Sequence, residues 1–160
     1  MYQKEEKVFN LPNSLEFKII SRRQPVKYEL EILPNGLIIC DIKIINLFNT
    51  YDDFVKCKAL IDTGSEFTIL CHSIFSLFKT ENDKREPIKI STLNGLPSEE
   101  FLYPLQIQIT DNNWRGIQNR IVVKDLSKRE EYQAIIGMDI LRNFELIYKG
   151  TQGLAYLLDY

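Results

Sequence analysis

Residues 59–70 read Ala-Leu-Ile-Asp-Thr-Gly-Ser-Glu-Phe-Thr-Ile-Leu: an apolar run enters Asp-Thr-Gly-Ser, and a second one leaves it soon after. An acid at the mouth of a buried strand is costly to place, because a carboxylate taken out of water needs donors or a partner that shares its proton. The cost implies a use for Asp62. It also implies a fold in which strands carry a short loop with this acid at its head.

The flanking sequence is written in the same idiom. From residue 15 to 47 the chain is rich in Ile, Leu and Val, broken at Gln24-Pro25 and at Pro34-Asn35-Gly36, the pattern of strands joined by tight turns. In residues 37–47, Ile38, Cys40, Ile42 and Ile44 alternate with Ile39, Asp41, Lys43 and Ile45, so one face is continuously apolar and the other partly polar. Residues 54–61 read as the next strand and deliver Asp62 at its end. Extended structure resumes at 68–70, and Ile74, Phe75, Leu77 and Phe78 share a helical face over 73–78.

Residues 87–93 and 101–110 are strand-like runs around Asn94-Gly95-Leu96-Pro97-Ser98, and Asn-Gly is a strong hairpin signal because both residues tolerate positive φ. A long hairpin with a mobile tip is expected. Residues 117–123 are a further strand, and 124–132 an exposed loop. Then Ala134-Ile135-Ile136-Gly137-Met138-Asp139-Ile140-Leu141 joins a short apolar strand, a glycine and a short helix. Residues 144–148 and 154–158 close the chain as a hairpin.

Composition narrows the function classes. A chain of 160 residues fits a single core, able to bury about 70% of the surface it exposes when unfolded. The net charge of −2, with Lys+Arg 20 against Asp+Glu 22, offers no basic footprint for nucleic acid and no cationic face for a membrane. Cys40, Cys57 and Cys71 show no zinc-like spacing and read as buried reduced thiols. The first residues lack the apolar core of a secretory signal, and no apolar run approaches the ~18 residues of a membrane span. A cytoplasmic location is the expectation. One histidine leaves no multi-histidine metal site, and without a phosphate-cradling glycine loop no cofactor is implied.

Taken together, Ala-Leu-Ile-Asp-Thr-Gly-Ser and the downstream Ile-Ile-Gly-Met-Asp-Ile-Leu make the chain resemble the retropepsin family, the homodimeric aspartic proteases of retroviruses and their cellular and bacterial relatives. The resemblance covers residues 37–148 in a shared order: strand, Asp-Thr/Ser-Gly strand, flap hairpin, then apolar-apolar-Gly before a short helix. It implies an all-β fold, a retropepsin-like closed β-barrel or sandwich with a flap hairpin and one short C-terminal helix. It places the protease domain at 36–160 and leaves 1–35 as an N-terminal extension: extra strands, an interface arm or a pro-segment.

The resemblance also assigns roles. Peptide hydrolysis of this kind needs one carboxylate to deprotonate water and another to protonate the scissile carbonyl. As in aspartic proteases generally, two carboxylates about 3 Å apart share one proton and titrate as a unit. Only one Asp-Thr-Gly occurs here, so the second Asp62 must come from a second copy on a twofold axis. Thr63 bonds to the opposite loop, Gly64 lets backbone approach the carboxylate, and the Ser65 hydroxyl is expected to donate to Asp62. An acidic optimum follows. Glu66 is expected at the substrate backbone, Ile135 as an apolar pocket wall, and Leu93, Asn94, Gly95 and Leu96 as the flap tip that closes over an extended polypeptide. Gly137 and Asp139 are expected to be structural, Asp139 as a cap or ion-pair partner of the short helix.

Two other readings compete. Asp-Thr-Gly is also an ordinary turn sequence, a reading the downstream match opposes. A domain of this fold can also be a catalytically silent dimerisation or peptide-binding module, against which Asp62, Thr63 and Gly64 stand intact. Cys71-His72 is not a thiol and base pair, because neighbours on an extended chain point apart. The C-terminal hairpin is a second candidate for the dimer interface, since exposed strand edges invite pairing.

Overall fold

The computed structural model describes residues 6–9, 17–20, 24–46, 54–78, 86–90, 98–109, 117–126 and 130–160. Strands dominate. In chain order they are β1 (Glu6–Phe9), β2 (Phe17–Ile20), β3 (Val26–Ile32), β4 (Ile38–Asn46), β5 (Phe54–Ile61) and β6 (Ile69–Cys71), then the one-turn helix α1 (His72–Phe75). After it come β7 (Glu86–Ile90), β8 (Ser98–Ile109), β9 (Ile117–Lys124), β10 (Ala134–Ile136), the short helix α2 (Met138–Leu141), β11 (Glu145–Lys149), a 3-10 turn and β12 (Leu154–Asp159).

Six of these strands form a ring in the order β4, β5, β10, β6, β9, β8 and back to β4. Closure disposes of the unpaired edges that an open sheet would present. The ring closes because β4 uses both of its edges. On one side it pairs with β5, Ile39 opposite Leu60 through Ile45 opposite Phe54. On the other its first residues pair with β3 and its last with β8, Ile42 opposite Ile109 through Asn46 opposite Leu105.

The expected alternation along β4 is present, with Cys40, Ile42 and Ile44 buried in the core. Asp41, on the other face, is exposed. The core is completed by Ala59 and Ile61 of β5, Leu70 of β6, Leu105 and Ile107 of β8, Ile121 of β9 and Ile136 of β10. Each fully buried isoleucine or leucine contributes roughly 1.5–3 kcal/mol relative to exposure. Tyr132, expected in an exposed loop, is buried instead. The turn at Pro34-Asn35-Gly36 needs its glycine, which takes φ of 83° while the backbone closes on Leu33.

Outside the ring, β12 pairs antiparallel with both β11 and β3, so the chain's last strand lies beside one near its start. β1 and β2 form a separate two-stranded sheet. β7 and the first half of β8 form the expected hairpin, with Glu86 opposite Leu102 and Ile90 opposite Ser98. Its tip, Leu93, Asn94, Gly95 and Leu96, lies outside the described residues. Among those described, no helix is long and apolar enough to cross a membrane.

Candidate active site

Asp62 sits where β5 leaves the sheet, and β10 holds both stems of its loop. On one side β10 runs parallel to β5, Ala134 opposite Ala59 and Ile136 opposite Ile61. On its other side it runs antiparallel to β6, Ala134 opposite Leu70 and Ile135 opposite Ile69. Three residues of β10 thus clamp the entry and the exit of the loop at once. Their small and β-branched side chains suit a strand buried between two others.

Within the loop the backbone turns on Asp62. Its own N–H donates to the Ile136 carbonyl at 3.1 Å, and its carbonyl accepts from the Ser65 N–H at 3.2 Å. The Gly64 N–H donates to the Asp62 carboxylate oxygen Oδ1 at 2.9 Å. A Cβ on Gly64 would stand 3.2 Å from that same oxygen, tighter than ordinary contact. Glycine is there for close approach. Asp62 is half-buried while Thr63 and Gly64 are exposed, so the loop presents its acid at the surface of the single chain.

Ser65 is placed differently from the expectation. Its hydroxyl donates to the Phe67 carbonyl at 2.7 Å rather than to Asp62, and so tightens the far side of the loop. Glu66 is exposed, with its carbonyl accepting from the Asp139 N–H at 3.1 Å. Ile135 is half-buried on β10.

A second set of bonds ties the loop to α2. Thr68, fully buried, donates through its N–H to Asp139 Oδ2 at 3.0 Å and through its hydroxyl to Oδ1 at 2.7 Å. The same Thr68 hydroxyl oxygen accepts from the Gly137 N–H at 3.1 Å, and Asp139 Oδ1 also accepts from the Ile140 N–H at 2.9 Å. The Met138 N–H donates to the Ser65 carbonyl at 2.8 Å. Bonds to an ionised carboxylate are about twice as strong as neutral ones, so Asp139 is a rivet between the loop and the helix rather than a simple cap.

Gly137 lies at the crossing. A Cβ there would come within 2.5 Å of the Phe67 backbone and 2.9 Å of the Ser65 carbonyl. Its φ of −93° and ψ of −178° suit any residue, so space, not conformation, demands glycine. Sequence reasoning found Gly137 and Asp139 but missed Thr68. The available signal was a lone hydroxyl in the apolar run Phe-Thr-Ile-Leu, because a buried polar group requires a partner.

The thiols lie apart from this chemistry. Burial pushes the Cys40 and Cys57 thiols up from 9.0 to about 12, with the Asp41 carboxylate adding to the effect. Cys71 is buried and the adjacent His72 exposed.

No protein-family model matches the chain, and no curated protein does. Among solved structures, the EIAV protease in complex with the inhibitor HBY-793 aligns over 65% of this chain and 84% of its own, at 22% identity and a TM-score of 0.42. A retropepsin-like aspartic protease from Rickettsia conorii aligns over 99% of this chain and 98% of its own, at 14% identity and a TM-score of 0.55. With likeness over nearly the full length of both chains, and a closed ring of strands carrying the Asp62 loop, the chain has the retropepsin-like all-β fold.

Proposed function

We propose that the chain is an aspartic endopeptidase that works as a homodimer, hydrolysing extended polypeptides with water activated between two Asp62 carboxylates, one from each copy. The observation that carries this reading is the Asp62 loop: an intact Asp-Thr-Gly whose carboxylate accepts the Gly64 amide and faces the surface, braced from below by Thr68 and Asp139.

One Asp62 acts as base on the water while its counterpart, carrying the shared proton, protonates the scissile carbonyl oxygen. The tetrahedral intermediate then collapses as the amine leaves with a proton, with no covalent enzyme species. Thr63, exposed beside Asp62, is assigned to the contact between the two loops. Glu66 and Ile135 are assigned to the substrate's backbone and to an apolar side-chain pocket. The tip Leu93, Asn94, Gly95 and Leu96 is assigned to closure over the bound peptide. A cytoplasmic setting belongs to the same proposal, in keeping with three free cysteines.

The test is cleavage of an unbiased peptide library from about pH 4 to 7, on the acidic side where a proton-sharing carboxylate pair works, by the native chain and by Asp62→Asn, each with its mass in solution measured. Cleavage by the native dimer that disappears in the Asn variant is the expected result. A confirmed dimer that cleaves nothing would leave a peptide-binding module as the function.

A further inference from the structure

We propose that Phe75 and Lys124 are positioning residues that hold the stem of the β7–β8 hairpin at two points, Phe75 through Tyr103 and Lys124 through Glu100, and so set how the hairpin stands relative to the Asp62 loop. The inference rests on the protease reading above and adds residues that act on a bound peptide without touching it.

β8 changes partners along its length. Residues 105–109 pair with β4 as part of the ring, and residues 102–107 pair with β9. The first residues, 98–102, pair with β7. From Ser98 to Phe101 the hairpin is therefore a two-stranded ribbon among the described residues, and two strands alone are marginal in water without other contacts to steady them. Such contacts lie on both faces at the point where the ribbon leaves the ring.

On one face Glu100 meets Lys124, the last residue of β9, with Nζ 3.1 Å from Oε1. The β8–β9 register, in which Leu102 is opposite Val122, carries on to set these two side chains across from each other. Their side chains are only 21% and 22% exposed, so salt screens the pair less than one on the open surface. Tyr103 alternates to the other face. Its ring centroid lies 4.4 Å from that of Phe75, which in turn stands 6.4 Å from the buried Phe78. Ring pairs at such spacing add to what burial alone contributes. Phe75 ends α1, which follows β6 without a break. The two holds thus come from β6 and β9, strands that pair in parallel with Cys71 opposite Lys124.

These strands also lead to the site. Leu102 of β8 is opposite Val122 of β9, Val122 opposite Ile69 of β6, Ile69 opposite Ile135 of β10, and Ile135 opposite Leu60 of β5, two residues before Asp62. One apolar row across five strands joins the foot of the hairpin to the stem of the Asp62 loop. Loosening that foot would let the hairpin take directions in which it does not meet a peptide lying along the row. Apparent affinity then falls in proportion to the fraction of chains in the competent arrangement, while a saturated enzyme keeps its rate.

The experiment compares Phe75→Leu, Lys124→Met and Lys124→Arg in the full chain, by steady-state cleavage of a peptide drawn from the library and by amide hydrogen exchange. The leucine keeps apolar bulk so that the fold survives, and the arginine keeps the charge. Phe75→Leu and Lys124→Met should each raise KM about threefold to tenfold and leave kcat within about twofold. The pH profile should not move, since neither residue touches the carboxylates. Exchange should quicken about tenfold at residues 86–90 and 98–102 and stay unchanged in β4 and β5. Lys124→Arg should match the parent. Unchanged KM and exchange in both variants would overturn the two-point hold, as would a fall in kcat with faster exchange throughout the chain, the mark of simple destabilisation. A parent chain that cleaves nothing would overturn the protease reading instead, and exchange would then decide the hold by the same criterion.

Discussion

Two glycines near Asp62 do different work, and their substitutions should fail in different ways. Gly64 is exposed and its Cβ position stands 3.2 Å from the carboxylate oxygen it serves. Gly64→Ala should leave the melting temperature nearly unchanged and lower kcat/KM roughly tenfold to a hundredfold, because small misplacements of a reacting group carry large rate penalties. Gly137 is buried against the backbone of Phe67 and Ser65, which has no freedom to yield. Gly137→Ala should destabilise the fold by about 1–3 kcal/mol and lower the melting temperature by roughly 2–12 °C. Thermal unfolding beside steady-state kinetics separates the two. Equal losses of stability in both variants would contradict the division of roles.

Among the elements, β4 and β5 carry the clearest pH signature. Cys40 and Cys57 are held as neutral thiols in the fold, pushed from 9.0 up to about 12 by burial, while an unfolded chain would release those protons near the ordinary value. Above pH 9.0 the unfolded state binds fewer protons than the native one, so stability falls as pH rises, by up to about 1.4 kcal/mol per pH unit for each thiol until about pH 12. Denaturant unfolding from pH 8 upward should show this decline, and Cys40→Ala should make it shallower even though it lowers stability at neutral pH. A slope unaffected by Cys40→Ala would place the effect elsewhere.

Much of this level was legible beforehand, for reasons that can be named. β4, β5, β9 and the terminal hairpin of β11 and β12 follow from alternation and from Pro, Asn and Gly at the breaks, which are local signals. The pairing of β10 between β5 and β6 was not legible, since three residues carry no periodicity and their partners lie more than sixty positions away in sequence. The same holds for β3 against β12, and for Thr68 bonded to Asp139. Long-range partners are chosen by the fold as a whole, in the ring and in its β11–β12–β3 extension alike. The Ser65 hydroxyl was misplaced because proximity in sequence to Asp62 says nothing about which acceptor the turn brings closer, and Phe67 proved to be that acceptor.

At the scale of the whole molecule, the ring with its β11–β12–β3 extension provides one Asp62 per chain, and the proposed chemistry needs two. Activity must therefore depend on composition as well as concentration. The most direct measurement is peptide cleavage by native chain exchanged with increasing fractions of Asp62→Asn at constant total protein. If both carboxylates are required, an equal mixture retains roughly a quarter of the native rate, because only dimers of two native chains work. A fall in simple proportion, to roughly half, would mean that each native chain acts alone, and together with an inactive native chain it is the result that would contradict a shared active site.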